Sequence, residues 1–578
     1  MFLSEWVTML ASSTPGSDQQ IAAAGALLTL TQQQAGCLQL LAAGGIPAFA
    51  TLLRQHVLST DANSRNSSSS ADTSAVSTST TQQPAISSTG ASGNNSSNGH
   101  LDASTTSSST AVQQTAECEE VCRTLQQQLH ISTANATGNI TSNSSSSNPD
   151  AATSSRSSNP AIQQPAGCDG VHSALQRTAA TALQRMMQEH PPCSQDVVAA
   201  GAVPRLAALL QQPVNTQATQ QAAAAALDTL CAAAAAEGRD SSISPGLAAL
   251  EQAGVIVPAV QLMETSTNPA TQAAAAAILA HLSASNEACR TEAVEEGAIP
   301  AALTSLRNTP SQTPSPVLQE KVLAFLNVMV NTQAGAARAL RQAGGVPQLV
   351  QLLGSPSTAV QANAAQVLHT LAAKSSRACG DIAAGGIPAL VQMLGGCSSN
   401  GKLLAHAVGV LSACMTSSRD SIAAACQAGA VPALVQLLGC YGTVNTSRTT
   451  SVDASSVDIV QRAVAALRVA CLAPGNIRQE ACVQLRESGG LEQLVSSLTS
   501  DSVLGGLYPS VVAILAAAGR VDMQSRGAMR CAGACFALQL FASHFEDDLE
   551  DAELFSNIME ALSYVNGSAP VFHKLNHT

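Results

Sequence analysis

Aromatic side chains are almost missing from this 578-residue chain: one Trp, three Tyr and eight Phe amount to 2%. That scarcity fits poorly with an enzyme built around a large aromatic-lined pocket. Charge is scarce too, at 11% of residues, and the balance is acidic, with a formal net charge of −12. Arg and Lys are scattered, with no run of five or more basic residues. Nucleic acid binding needs a positive footprint, so it is set aside. No uninterrupted apolar run reaches the roughly 18 residues of a membrane-spanning helix, so no membrane insertion is expected. The start, "MFLSEWVTMLASSTPGS", has no basic region and carries Glu5 inside its short apolar stretch. It resembles neither a secretory signal nor an Arg-rich transit peptide. The expectation is a protein that is not secreted, cytoplasmic with the nucleus left open, whose 16 Cys stay reduced. Phe2 rules out myristoylation at that position. Asn-x-Ser/Thr triplets at Asn66, Asn135 and Asn139 fall in Asn/Ser-rich tracts, where they arise by chance.

What the chain does have is Ala, a strong helix former that buries little area per residue, and a recurring phrase. "GGIPAFATLL" begins at Gly44, "GAVPRLAALL" at Gly201 and "GAIPAALTSL" at Gly297. "GGVPQLVQLL" begins at Gly344, "GGIPALVQML" at Gly385 and "GAVPALVQLL" at Gly429. "GVIVPAVQLM" at Gly254 has one extra residue, and "GGLEQLVSSL" at Gly489 has lost its proline. Pro204, Pro258, Pro300, Pro347, Pro388 and Pro432 stand 41 to 54 residues apart. A period of about 33 or 34 would indicate ankyrin or tetratricopeptide units, whereas a period in the forties indicates solenoid units of two or three helices.

The phrase has a chemical logic. Gly344 and Gly345 stop one helix, because Gly takes a left-handed cap without steric cost. Pro347 opens the next, where its missing N–H has no partner to lose. Val346, Leu349, Val350, Leu352 and Leu353 follow at helical spacing and are expected to be buried. After the break "GSPS", a longer helix carries Val360, Ala364, Val367, Leu368 and Leu371 on one face. The unit reads as short helix, Gly turn, Pro-started helix, turn, long helix.

The phrase G-[AG]-[IV]-P-x-L-V-x-L-L followed by a long Ala/Leu-rich helix resembles armadillo repeats. The resemblance is strong from about Gln195 to Leu498 and broken over Gln33 to His56. HEAT repeats share the period but usually lack the Gly–Pro phrase. The resemblance implies an all-α, right-handed armadillo-type solenoid. Four segments follow: N-terminal helices and a first partial repeat at 1–58, an insertion at 59–166, the repeat array at 167–500, and C-terminal capping helices at 501–578. Ser59–Val112 and Ser132–Pro165 are nearly all Ser, Thr, Asn, Gln and Ala and are expected to be disordered, with one short helix near 113–131. The Val171–His190 helix would complete the first unit across that insertion, which is tolerable because loop closure costs only the logarithm of length.

Other motifs have plainer explanations. "GCSSNGK" at Gly396–Lys402 matches GxxxxGK, but a helix precedes it and Leu403 follows the Lys, so it reads as a helix–helix turn. Cys531 and Cys535, like Cys118 and Cys122, stand four apart without a second pair to complete a zinc site, and read as packing residues. "FEDDLEDAELF" (Phe545–Phe555) reads as acids crowding a helix start. No nucleophile triad, HExxH or dinucleotide fingerprint occurs in a suitable context. The sequence is therefore read as a non-enzyme, without cofactor, metal site or small-molecule substrate.

In importin-like arrays, the resemblance implies, long helices line a concave face with Asn and Trp ladders that hold partner segments. The aligned Asn positions here hold Arg185, Thr229, His281, Val328, Thr370, Ala413 and Val469. The Trp positions hold Thr181, Ala225, Ala277, Ala324, Gln366, Gly409 and Ala465. Neither ladder survives. One turn earlier, Lys321, Asn363, His406 and Arg462 form a polar, partly basic row. The candidate partner-binding residues are Lys321, Asn363, His406, Arg462, His281, Thr229 and Thr370. The function implied is a scaffold or adaptor holding a partner protein, with an acidic helical segment as the expected guest. The competing readings are the substrate-recruiting part of a ubiquitin ligase, a chaperone nucleotide-exchange factor, and a structural component of a larger assembly.

Overall fold

The computed structural model describes residues 2–14, 17–53, 168–211, 216–237, 244–308, 315–396, 400–441, 454–499, 507–544 and 552–566. The Ser/Thr/Asn-rich tracts and the short helix read near 113–131 lie outside the described residues. Apart from one 3-10 turn at Pro191–Cys193, every described element is an α-helix. The chain divides into two compact units, Met1–Leu206 and Ala207–Thr578, with the boundary inside the Val203–Gln211 helix.

In the first unit the Cys168–Glu189 helix packs on Asp18–Leu30 and on Gln34–Ala42. More than a hundred residues separate it from both of these helices in the chain. Leu27, Leu40, Phe49, Leu183 and Met186 are fully buried there, so the first helical triplet is closed by a helix delivered from beyond the insertion.

The second unit repeats one three-helix pattern. Short first helices, such as Ala336–Gln342 and Ser376–Ala383, lead into second helices, such as Gly345–Leu352 and Ile387–Gly395. Long third helices follow: Pro269–Ser285, Pro316–Thr332, Thr358–Lys374, Gly401–Ser417, Ala454–Leu472 and Tyr508–Val521, each packed against the next, with Gln217–Glu237 ahead of them. Second helices of neighbouring units also meet: Ile256–Thr265 packs on Ala298–Asn308, tied by Ser305, whose Oγ donates to the Met263 carbonyl of the preceding unit at 2.7 Å.

The corner between first and second helix is where the repeated phrase acts. The axis turns by 73° between Pro245–Gln252 and Ile256–Thr265, and by 74° between Arg419–Gln427 and Ala430–Tyr441. Gly344, at φ +74°, sits at this corner in the left-handed region, which an L side chain enters only with strain. Gly44, Gly201, Gly254, Gly297, Gly429, Gly489 and Gly533 have positive φ at the same place, whereas Gly385 does not. Pro347 and Pro388 fall in the first turn of their helices, where an N–H has no intrahelical acceptor.

Packing follows the periodicity. Val346, Leu349 and Leu353 are buried, as are Val360, Ala364, Val367, Leu368 and Leu371. Val350 and Leu352, expected in the core, are only half-buried. Val350 lies beside Gly386 of the next unit, which offers no side chain to cover it. Ala explains the close stacking of the long helices: Ala273 to Ala277 are all buried in Pro269–Ser285, which lies between two other long helices. A buried Leu contributes about 1.5–3 kcal/mol and an Ala much less, so stability here comes from many thin layers.

The pattern continues past residue 500. Met523–Cys531, Ala534–His544 and Ala552–Asn566 repeat the order short, second, third, with Gly533 at φ +80° between the first two. Phe536 occupies the place of the phrase's proline and is 67% exposed. Among the described residues no single helix is long and apolar enough to cross a membrane; four first–second pairs reach that length only as two helices bent by 73° to 83°.

Candidate functional site

The long helices of the second unit present one face that their neighbours do not cover. On Thr358–Lys374 it carries Asn363, Gln366, His369 and Thr370, all half-buried, between the fully buried rows. The three- and four-residue spacing places these side chains along one stripe. The stripe continues on Pro316–Thr332 with Lys321, Ala324 and Asn327, and on Ala454–Leu472 with Asp458, Arg462 and Ala465.

Two charge clusters are built on it. The first joins three successive long helices: Asp228, His281 and Lys321. Burial pushes the Asp228 carboxyl above its ordinary range, while Lys321 and His281 pull it back. Among the described residues its Oδ1 is buried without a hydrogen-bond partner. Burial lowers the His281 pKa, Asp228 opposes, and Lys321 lowers it further.

The second cluster reaches across a whole unit. Arg462 Nε donates to Asp458 Oδ1 at 2.7 Å, one turn back on the same helix. Its Nη1 continues over the intervening Gly401–Ser417 helix and lies 2.8 Å from His369 Nε2. Nη1 also stands 3.3 Å from Nδ1, so it sits against the ring; a guanidinium only donates, and both contacts call for a neutral imidazole. Burial first, then the Arg462 and His406 charges, hold the His369 pKa at about 4, with Asp458 opposing. The His406 ring centroid is 5.9 Å from that of His369. Burial, Arg462 and Lys402 lower the His406 pKa against the pull of Asp458. The crossing is open because residue 409 is Gly: a Cβ there would overlap Arg462 Nη1 and stand 2.7 Å from His369 Nε2.

The structure thus brings Lys321 together with His281, and Arg462 with His406. Thr229 and Thr370 lie on the same face, each satisfied within its helix: Thr229 Oγ1 donates to the Ala225 carbonyl at 2.9 Å and Thr370 Oγ1 to the Gln366 carbonyl at 3.0 Å. Thr370 also reaches Asn327 Oδ1 at 3.5 Å. Asn363 is half-buried on the stripe between these clusters. Asp228, His369, Asp458 and the gap at Gly409 were not among the sequence candidates. Asp458 and Arg462 carry a local signal, an acid four residues before a base on a helix; His369 carries none, being 93 residues from its partner.

The remaining motifs stay apart from this face. Asn400 caps the Gly401–Ser417 helix, its Oδ1 accepting from the Leu403 N–H at 3.2 Å, which makes the GxxxxGK match a helix start; residues 397–399 lie outside the described residues. Cys535 Sγ donates to Asn566 Oδ1 at 2.9 Å. Residues 545–551 of the acidic run lie outside the described residues, and Glu553 stands in the first turn of Ala552–Asn566. Among the described residues no group of three or more His, Cys, Asp or Glu is placed to hold a metal ion.

The Armadillo/beta-catenin-like repeat family profile matches residues 334–373, the stretch that contains Gly344, Pro347 and the Thr358 helix. No curated protein sequence matches the chain. Among solved structures, an engineered protein from a structural genomics consortium is similar over 98% of this chain and 99% of its own, at 20% identity and a TM-score of 0.57. A designed armadillo repeat protein is similar over 46% of this chain and all of its own, at 24% identity and a TM-score of 0.36. A second engineered protein covers 54% of this chain and 96% of its own, at 23% identity and a TM-score of 0.35. The full-length likeness is one of fold, and with the repeating helices it makes the chain an all-α, armadillo-type solenoid.

Proposed function

We propose that this chain is a non-catalytic scaffold or adaptor that binds a partner protein along the exposed face of its long helices. The observation that carries the reading is the stripe itself. From Thr229 to Arg462 it runs over six successive helices, and it carries the half-buried Asp228, His281 and Lys321 together with the hydrogen-bonded chain Asp458–Arg462–His369. Surfaces of this kind, repeated helix by helix, are what solenoids offer to extended partners.

A helix is the guest that the shape favours. Ala324 and Ala465 are exposed where importin-like arrays carry a Trp, so another helix can approach closely along ridges and grooves. The Asn/Trp ladder is degenerate on this reading, and an extended basic peptide would find little to hold it. Lys321 and Arg462 already face Asp228 and Asp458, so the carboxylates of an acidic guest compete with both.

The test blocks the face without touching the core. The full chain and its Ala324→Arg, Ala465→Arg double variant are used to capture partners, and each captured protein is cross-linked to map its footprint. The expected result is a partner whose cross-links fall on the stripe and whose recovery drops in the variant. Equal recovery, or a footprint on the second helices, would remove the stripe as the binding face.

A further inference from the structure

A second surface lies outside the stripe, at the edge where long helices hand over to first helices. A cavity of about 770 Å³ opens there between the ends of Pro316–Thr332 and Thr358–Lys374, one side of Ala336–Gln342 and the start of Ser376–Ala383. Its lining includes Arg338, Arg341, Lys374 and Arg377. Four cations around one cavity stand out in a chain with 26 Lys and Arg among 578 residues and a net charge of −12.

Their charge is mostly uncancelled. Arg341 Nε pairs with Asp381 Oδ2 at 2.9 Å, and that carboxylate is half exposed. Lys374 Nζ donates to the carbonyls of Val330 at 2.7 Å and Asn331 at 2.6 Å, which are neutral acceptors at a helix end. These bonds hold the ammonium at the cavity without neutralising it. Arg338 and Arg377 are exposed and form no ion pair among the described residues. Among the described residues one carboxylate, Asp381, pairs with one of the four cations.

We infer that this cavity is a docking site for an acidic peptide segment, rich in Asp and Glu, of a partner protein. Three guanidinium forks suit carboxylates, which they take two bonds at a time, and a fixed ammonium adds a point charge. Among the described residues no aromatic side chain lines the cavity, so it offers none of the stacking faces on which single-stranded nucleic acids are held. Arg338, Lys374 and Arg377 stand at an exposed rim, unlike the enclosed, convergent donors of a small-metabolite pocket. The inference goes beyond the reading of the long-helix face and stands without it.

The experiment is fluorescence anisotropy with the full chain and a fluorescein-labelled dodecapeptide of alternating Asp and Glu. The expected result is saturable binding that weakens as salt rises. Binding should weaken by about tenfold or more in the Arg338→Glu, Arg377→Glu double variant. The milder Arg338→Gln, Arg377→Gln pair should lose less. Both changes are at exposed positions, and circular dichroism melts should match the parent. Ala324→Arg, Ala465→Arg should leave peptide binding intact, which separates this site from the long-helix face. Equal affinity in parent and charge-reversed proteins would overturn the inference. So would tighter binding of a dodecamer of single-stranded deoxythymidylate, or displacement of the peptide by an equal concentration of inorganic phosphate.

Discussion

Gly409→Ala is the sharpest single perturbation of the long-helix face, because it adds one methyl at the point where Arg462 crosses. Two effects oppose each other. Replacing Gly by Ala inside a helix stabilises it by about 0.5–1 kcal/mol. The new Cβ would overlap Arg462 Nη1 and crowd His369 Nε2, so the guanidinium end must swing away. That loses a hydrogen bond with a charged donor, worth about 1.5–3 kcal/mol. Arg462 keeps its 2.7 Å bond to Asp458, and its displaced end returns to water. The net change in stability is therefore expected to be a loss of about 0.5–2.5 kcal/mol. The large effect should appear at His369. Burial still disfavours its charged form, but the Arg462 charge that helps hold its pKa at about 4 has moved off. The His369 pKa should rise toward the ordinary 6.5 without reaching it. The assay is carbon-13 NMR titration of histidine-labelled protein, with the His369 signal assigned by its loss in His369→Gln. A His369 titration that does not move, or a loss of stability above about 3 kcal/mol, would refute the crossing geometry and with it the role of Gly409.

Much of the fold was legible in the sequence because its signals are local. The Gly–Pro phrase fixes a corner through backbone chemistry alone, and Val360, Val367, Leu368 and Leu371 report their own helix face through spacing. The phrase after residue 500 was harder to see because Phe536 replaces the proline. In the structure that position points outward in most units: Pro47, Pro204, Pro300, Pro347, Pro388 and Pro432 are all exposed. The corner needs the glycine at 533, while position 536 tolerates an aromatic ring facing water. The candidate row was legible in part. Taking one residue per helix finds Lys321, His406 and Arg462, yet a long side chain is not confined to its own helix. Arg462 reaches His369 two long helices away, and only because position 409 has no side chain. A pattern read one helix at a time counts Gly409 as a lost Trp; in three dimensions it is the opening that the arginine fills.

Two further outcomes follow from the same geometry. Gly344→Ala forces a side chain into φ +74° and should destabilise the protein by about 1 kcal/mol, whereas Gly385→Ala, at the equivalent corner without positive φ, should be neutral or mildly stabilising; thermal melts that rank the two the other way would contradict the corner geometry. The second concerns acid. His281, His369 and His406 all have pKa values lowered on folding, with burial the first cause. Below the ordinary 6.5 the unfolded chain takes up protons that the folded chain refuses, so stability is complete above 6.5 and is lost as the pH falls. For His369 the loss continues down to about 4 and then stops. Its unscreened size would approach ~3 kcal/mol, but the ring is only partly buried, and solvent screening reduces the expectation to about 1–2 kcal/mol. Asp228 works in the opposite sense: its raised pKa means that the folded state takes a proton before the unfolded state does, which offsets part of the loss at His281. Melting temperatures at pH 7.5 and pH 5 should therefore differ, with the acidic value lower. His369→Gln, which keeps a hydrogen-bond acceptor for Arg462 but cannot titrate, should narrow that difference. If parent and His369→Gln lose the same number of degrees between the two pH values, His369 is not held neutral by its place under Arg462.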